Sequence, residues 1–333
     1  MYRKLCRKSR KYSFLFRDCA EYSKLDYSDS YSIKGLLILI IVLGHNKYLM
    51  EEGMAFKYLY SFHVYGFYFL PFLYNFKVVN LSVMVRKNAI RLLVPYTLVF
   101  CLLAILNRSV FDINMMVCYF SGSQVLLREV LHSGGFLWFL PTMFSLLCLR
   151  HIYYTVSYSK RLMLVAVSLL CWFCYAFGYF GIVQIYAPMS IFIAFAMLLP
   201  GIFVREISNK ESLPVLSMFF FLLTIAVAIV FPVDEGKTYK ILKWIICPIL
   251  INSFLISSCS VYKKITFLSE FGKYSFGIYV IHLFLYNIIY KYGEPMLPLK
   301  NNYVIGILSF ISVLLMSYML CKIKIVNIIF NLK

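Results

Sequence analysis

Two histidines far apart in the chain, His45 and His282, fall inside long apolar runs, where an ionisable side chain has to be accounted for. The first closes the stretch Lys34-Gly35-Leu36-Leu37-Ile38-Leu39-Ile40-Ile41-Val42-Leu43-Gly44-His45. A helix rises about 1.5 Å per residue, so the cation and the imidazole stand roughly 16 Å apart along the axis. That spacing predicts Lys34 near a membrane surface and His45 within the bilayer. A neutral imidazole in such a place can take a proton as a general base, or it can hydrogen-bond a neighbouring helix and only pack.

The second histidine closes Gly272-Lys273-Tyr274-Ser275-Phe276-Gly277-Ile278-Tyr279-Val280-Ile281-His282. Ser275, Tyr279 and His282 recur at i, i+4 and i+7, so one helix face carries all three. A polar face on an apolar helix must look at protein or water rather than lipid. Counted from the cytoplasmic ends of their spans, His45 and His282 lie roughly 18 and 12 Å deep. Two readings follow: both line one cavity, or the face is a hydrogen-bonded helix–helix seam.

Two further groups stand out. Arg86-Lys87-Asn88-Ala89-Ile90-Arg91 precedes Val94-Pro95-Tyr96, and Phe136-Leu137-Trp138-Phe139-Leu140-Pro141 opens another apolar run. The cations serve either as membrane anchors on the cytoplasmic face or, with Lys34, as a clamp for a donor carrying several phosphates. His63 is expected toward the outer surface, in interfacial packing. His132 and His151, flanked by loop-like residues, are expected to be solvated.

Composition supplies the elements that hold these groups. Of 333 residues 62% are hydrophobic and 14% charged, against about 25% charged in soluble domains. About ten apolar spans are predicted, at 33–50, 57–74, 91–107, 136–150, 162–180, 184–203, 213–231, 240–258, 274–291 and 302–321. Pro141 falls in the fourth. Most of the 33 Lys and Arg lie on one side of this arrangement. By the positive-inside rule that side is cytoplasmic, with both termini inside. The net charge of +19 then follows from topology and calls for no nucleic acid. The first thirty residues read as a basic cytoplasmic segment with no cleavable apolar core, and its stretch from Met1 to Arg17 is expected to attract anionic lipid. Residues 31–333 read as a single transmembrane domain. The pair Cys171 and Cys174 sits in an apolar run and reads as a packed helix face, so no metal is expected. The expected fold is all-α and integral to the membrane, a bundle of about ten helices around a central cavity open to the cytoplasm.

These residues together resemble the membrane acyltransferase family 3, multi-pass O-acyltransferases of bacterial surface sugars. Lys34-Gly35 and Val42-Leu43-Gly44-His45 match its opening motif. Arg86 to Tyr96 resembles its basic segment, Trp138 to Pro141 its Trp-Phe-Leu-Pro, and Ser275 to His282 its late Ser-x-x-Ile-Tyr-x-x-His. The resemblance runs from about residue 31 to 321. Lys34 stands where the family more often has arginine, and Phe67-Tyr68-Phe69-Leu70-Pro71 replaces its usual end of span two.

The resemblance implies an inner-membrane enzyme that moves an acyl group, acetyl from acetyl-CoA, to a hydroxyl of a cell-surface polysaccharide or its lipid-linked precursor. It implies that Lys34, Arg86, Lys87 and Arg91 bind the CoA phosphates. His45 would take the hydroxyl proton, with His282 beside it and Trp138, Ser275 and Tyr279 lining the cavity. The rival readings are a polytopic transporter or flippase and a surface-polysaccharide polymerase; the ordered motifs and the absence of internal repeats favour the transferase.

Overall fold

The apolar runs fold as helices. The computed structural model describes residues 27–50, 62–73, 79–107, 112–131, 134–177, 189–208, a few positions between 215 and 223, 247–293 and 302–330. Among these every regular element is helical and none is a strand. Most of the basic segment 1–30, His132, and most of the span expected at 213–231 lie outside the described residues. Among the described residues four helical stretches are long and apolar enough to cross a membrane: Leu81–Leu106, Gly134–Thr155, Tyr158–Tyr175 and Asn302–Lys322. Shorter apolar helices run over Met189–Arg205 and Pro248–Ser257. The protein is an integral membrane protein, all-helical among the described residues.

The helices, numbered along the chain, are α1 (Tyr27–Gly44), α2 (Tyr65–Leu73), α3 (Leu81–Asn88), α4 (Val94–Leu106), α5 (Ile113–Ser121), α6 (Gln124–Leu131), α7 (Phe139–Thr155), α8 (Tyr158–Phe177), α9 (Met189–Ser208), α10 (Cys247–Ser257), α11 (Cys259–Tyr262), α12 (Thr266–Lys273), α13 (Ser275–Ile288), α14 (Asn302–Lys322) and α15 (Lys324–Phe330). They fall into two compact units, one built from residues 1–25 and 68–213 and the other from 26–67 and 214–333.

In the first unit, the long helix begins ten residues before the expected boundary at 91. Asn80 caps it, its side chain accepting from Ser82 N at 2.9 Å. Arg86 and Lys87 therefore ride on α3 itself. A π turn, Ala89–Leu93, joins α3 to α4; the Val94 N–H reaches back to the Ala89 carbonyl, and Pro95 follows with no N–H to place. Asp112 caps α5 by accepting from Met115 N at 2.9 Å. Gly122 ends α5 at φ 59°, a left-handed conformation suited to glycine. A 3-10 turn, Gly134–Trp138, leads into α7. Pro141 is the third residue of α7, in its first turn, where a missing N–H is tolerated. α7, α8 and α9 pack together: Ser168 of α8 donates to the Phe195 carbonyl at 2.6 Å and accepts from Leu199 N at 3.0 Å on α9. His151, expected in solvent, is instead buried on α7, because the helix runs through the position rather than ending before it.

In the second unit, α1 runs from Tyr27 to Gly44, starting and ending about six residues earlier than the expected span 33–50. Its start is held by an ion pair, Asp29 to Lys263 at 3.4 Å. α1 crosses α12 in tight backbone contact at two glycines. A Cβ on Gly35 would strike the Leu268 carbonyl oxygen, and one on Gly272 the Tyr31 carbonyl oxygen. This explains a glycine in both the first and the last motif: small residues let membrane helices approach closely. α13 and α14 pack on each other and on α1, and Gly277 brings α13 against Cys321 of α14.

Candidate functional site

The second unit places three histidines side by side. His45 stands at the end of α1, one residue past Gly44. His282 is on α13 and fully buried, with its ring centroid 5.2 Å from that of His45. His63, in the turn just before α2, is also buried and meets the His45 ring edge-on at 6.4 Å. Sequence reasoning placed His63 toward the outer surface, in interfacial packing or in contact with an external substrate, and not beside His45. The signal that could have found it is the polar residue itself within Ser61-Phe62-His63-Val64-Tyr65, an apolar setting in which depth alone is a poor guide.

The face expected on α13 exists. Ser275, Tyr279 and His282 are all buried, and the Tyr279 ring lies 6.0 Å from the His282 ring. The face looks at protein, as a polar stripe on an apolar helix must. Tyr286, one turn beyond, continues it and stacks on Tyr290 at 5.3 Å.

The tautomer of His282 follows from its partner. Nδ1 lies 3.1 Å from the Ile278 carbonyl oxygen, which can only accept, so Nδ1 carries the proton. Nε2 of the neutral ring is then a bare lone pair, buried and with no hydrogen-bond partner. A buried polar atom left in this state costs about 1–3 kcal/mol.

Lys34 belongs to the same unit, partly buried, with its ammonium 5.3 Å from the Tyr31 ring centroid. Arg86, Lys87 and Arg91 belong to the first unit and are exposed, the first two on α3 and Arg91 within the π turn. Such turns are frequent at functional sites. Trp138, also in the first unit, is half-buried with its ring 6.0 Å from Tyr68. Among the described residues no group of three or more His, Cys, Asp or Glu side chains is placed to hold a metal ion.

An all-helical membrane protein whose buried polar centre is built from imidazoles, with cations on its apolar helices, has the parts of a membrane-embedded group-transfer enzyme. The acyltransferase 3 family model, described as an acyltransferase domain, matches residues 31–322. The chain belongs to the acyltransferase 3 family and is a transferase enzyme. No curated protein and no solved structure matches it.

Proposed function

We propose that this enzyme transfers an acetyl group from acetyl-CoA to a hydroxyl of a cell-surface polysaccharide or its lipid-linked precursor, at the bacterial inner membrane. Both termini would lie in the cytoplasm, about ten spans would surround a cavity open to that side, and residues 31–333 would act as one catalytic domain. The observation that carries the reading is the packing of His45 against the fully buried His282 at 5.2 Å, in a chain of the acyltransferase 3 family.

A hydroxyl is a weak nucleophile, and a positioned base is the usual remedy. In the proposed mechanism His45 removes the hydroxyl proton as the oxygen attacks the thioester carbonyl. The tetrahedral intermediate collapses with cleavage of the C–S bond. The departing thiolate takes the proton from the His45 imidazolium, leaving an ester and free CoA. His282, with its proton fixed on Nδ1, keeps a lone pair on Nε2 beside this exchange. Tyr279 and Ser275 complete the polar wall on α13, and Trp138 would line the acceptor side. Lys34, Arg86, Lys87 and Arg91 would hold the phosphates of the donor, the arginines through paired N–H donors. The distance from Lys34 to His45, roughly 16 Å along α1, suits a donor whose phosphates stay at the surface while its thioester reaches inward.

The test is transfer of labelled acetyl from acetyl-CoA to glycan in membranes carrying the protein, with release of free thiol followed in parallel. Loss of a general base costs about 10²–10⁴-fold in rate. His45→Ala is therefore expected to be nearly inactive while still folding and binding acetyl-CoA, and His282→Ala to be impaired less. Transfer by His45→Ala at the normal rate would remove the mechanism.

A further inference from the structure

We infer that Asn46 is a positioning residue of the transfer site, fixing where the chain turns immediately after His45. The inference rests on the assignment of His45 as the base. Asn46 is fully buried, an amide in apolar surroundings, and every hydrogen-bonding position of its side chain is used. Oδ1 accepts from Tyr48 N at 3.0 Å and Leu49 N at 3.1 Å. Nδ2 donates to the Gly306 carbonyl at 2.8 Å and to Ser309 Oγ at 3.0 Å, with the Tyr286 hydroxyl a longer third contact at 3.4 Å. An amide offers two acceptor sites and two N–H donors, and no more. The orientation is forced: turned over, Oδ1 would face the Gly306 carbonyl and the amide N–H groups would face two backbone N–H groups.

The consequence falls on His45. α1 stops at Gly44; His45 N still bonds the Ile41 carbonyl at 3.2 Å, and Asn46 N the Leu43 carbonyl at 3.0 Å. Beyond that the chain turns, and Asn46 supplies from its side chain what a continuing helix would have supplied from its backbone. The same end of α1 is held from α13, where the Tyr286 hydroxyl donates to the Val42 carbonyl at 2.9 Å. The Cα of His45 is thus tied to α13 through Tyr286 and to α14 through Gly306 and Ser309. Those ties set the imidazole against His282. Aspartate at 46 would keep the acceptors and lose both donors. Leucine would fill the volume but leave Tyr48 N and Leu49 N without the acceptor Asn46 gives them.

Reacting groups must be held within about 0.5 Å of the productive geometry, and a displacement near 1 Å costs about 10²-fold in rate. Asn46→Ala is therefore expected to lower kcat about 100-fold per folded molecule and to leave the KM for acetyl-CoA unchanged. In a His45→Ala background the same substitution should cost nothing further, because a residue that acts through His45 has nothing left to position. A normal kcat for Asn46→Ala overturns the inference. So does an equal proportional loss in the His45→Ala background, which is the behaviour of a residue that only supports the fold. Should Asn46→Ala fail to accumulate in the membrane, Tyr286→Phe and Ser309→Ala carry the test: the first removes the hydroxyl that bonds Val42 and Asn46, the second the hydroxyl that bonds Asn46, each at nearly constant volume. Both should lower kcat with KM unchanged and lose their effect without His45; normal kcat in both overturns the inference. Normal transfer by His45→Ala alone overturns the base assignment and this inference with it. An inactive His45→Ala enzyme beside a normal Asn46→Ala enzyme overturns this inference only.

Discussion

Replacing Gly35 by alanine adds one methyl at the point where α1 and α12 touch. Its Cβ would sit far inside the contact distance of the Leu268 carbonyl oxygen, with the carbonyl carbon and Cα of the same residue close behind. All three are backbone atoms, so no rotamer change can relieve the clash. The helices must part by on the order of 1 Å, forfeiting dispersion contacts along their shared face. Overpacking of this kind costs about 1–3 kcal/mol, and a rigid backbone on both sides puts Gly35→Ala near the upper end. Gly272→Ala meets the Tyr31 carbonyl in the same crossing and should cost as much. The double variant should cost less than the sum, since the second methyl enters a gap the first has opened. Gly135 is the internal control: the nearest atom to its added Cβ is Arg128 Cβ at 3.5 Å, ordinary contact. Gly135→Ala should be neutral or stabilise by about 0.4–1 kcal/mol through the unfolded chain. The assay is the free energy of unfolding in mixed micelles titrated with a denaturing detergent, with acyl transfer measured alongside. Since α1 carries Lys34 and leads directly into His45, the destabilised variants should also lose transfer. A Gly35→Ala protein as stable as the Gly135→Ala protein would refute the crossing.

Arg91→Ala is expected to raise the KM for acetyl-CoA roughly 10–100-fold, the value of about 1.5–3 kcal/mol for one charge-assisted hydrogen bond, with kcat unchanged; a normal KM would remove Arg91 from the donor clamp. Asp112 contributes a pH dependence. Its carboxyl is held below the usual range chiefly by the Met115 N–H, with help from Asn114. A depressed folded value means stabilisation that is full above the unfolded value, about 3.9, and lost as pH falls through the folded one. Asp112→Asn keeps a capping acceptor and should abolish that acid-side loss, as read from unfolding at pH 3 to 7; an unchanged profile would place the acid sensitivity elsewhere.

Hydropathy and charge are local properties, so the sequence alone determined that the chain is helical, that it belongs in a membrane, and which residue types could act on a proton. The spacing of Ser275, Tyr279 and His282 placed them on one face because helix geometry repeats every few residues whatever surrounds it. Boundaries were less legible. α1 ends at Gly44 because the Asn46 side chain closes the turn, and the helix bearing Arg86 begins at Leu81 because Asn80 caps it. Both are decisions of single side chains rather than of hydropathy. Of the neighbours of His45, His282 was expected from its comparable depth, but His63 and the ties made by Asn46 were not legible. His63 and His282 reach it from separate elements, and Asn46 finds Ser309 across 263 positions of sequence. Apolar helices of similar composition can pack in many registers. Only the tertiary structure, through the close crossing at Gly35 and Gly272 and the polar ties to α13 and α14, selects the one that brings the imidazoles together.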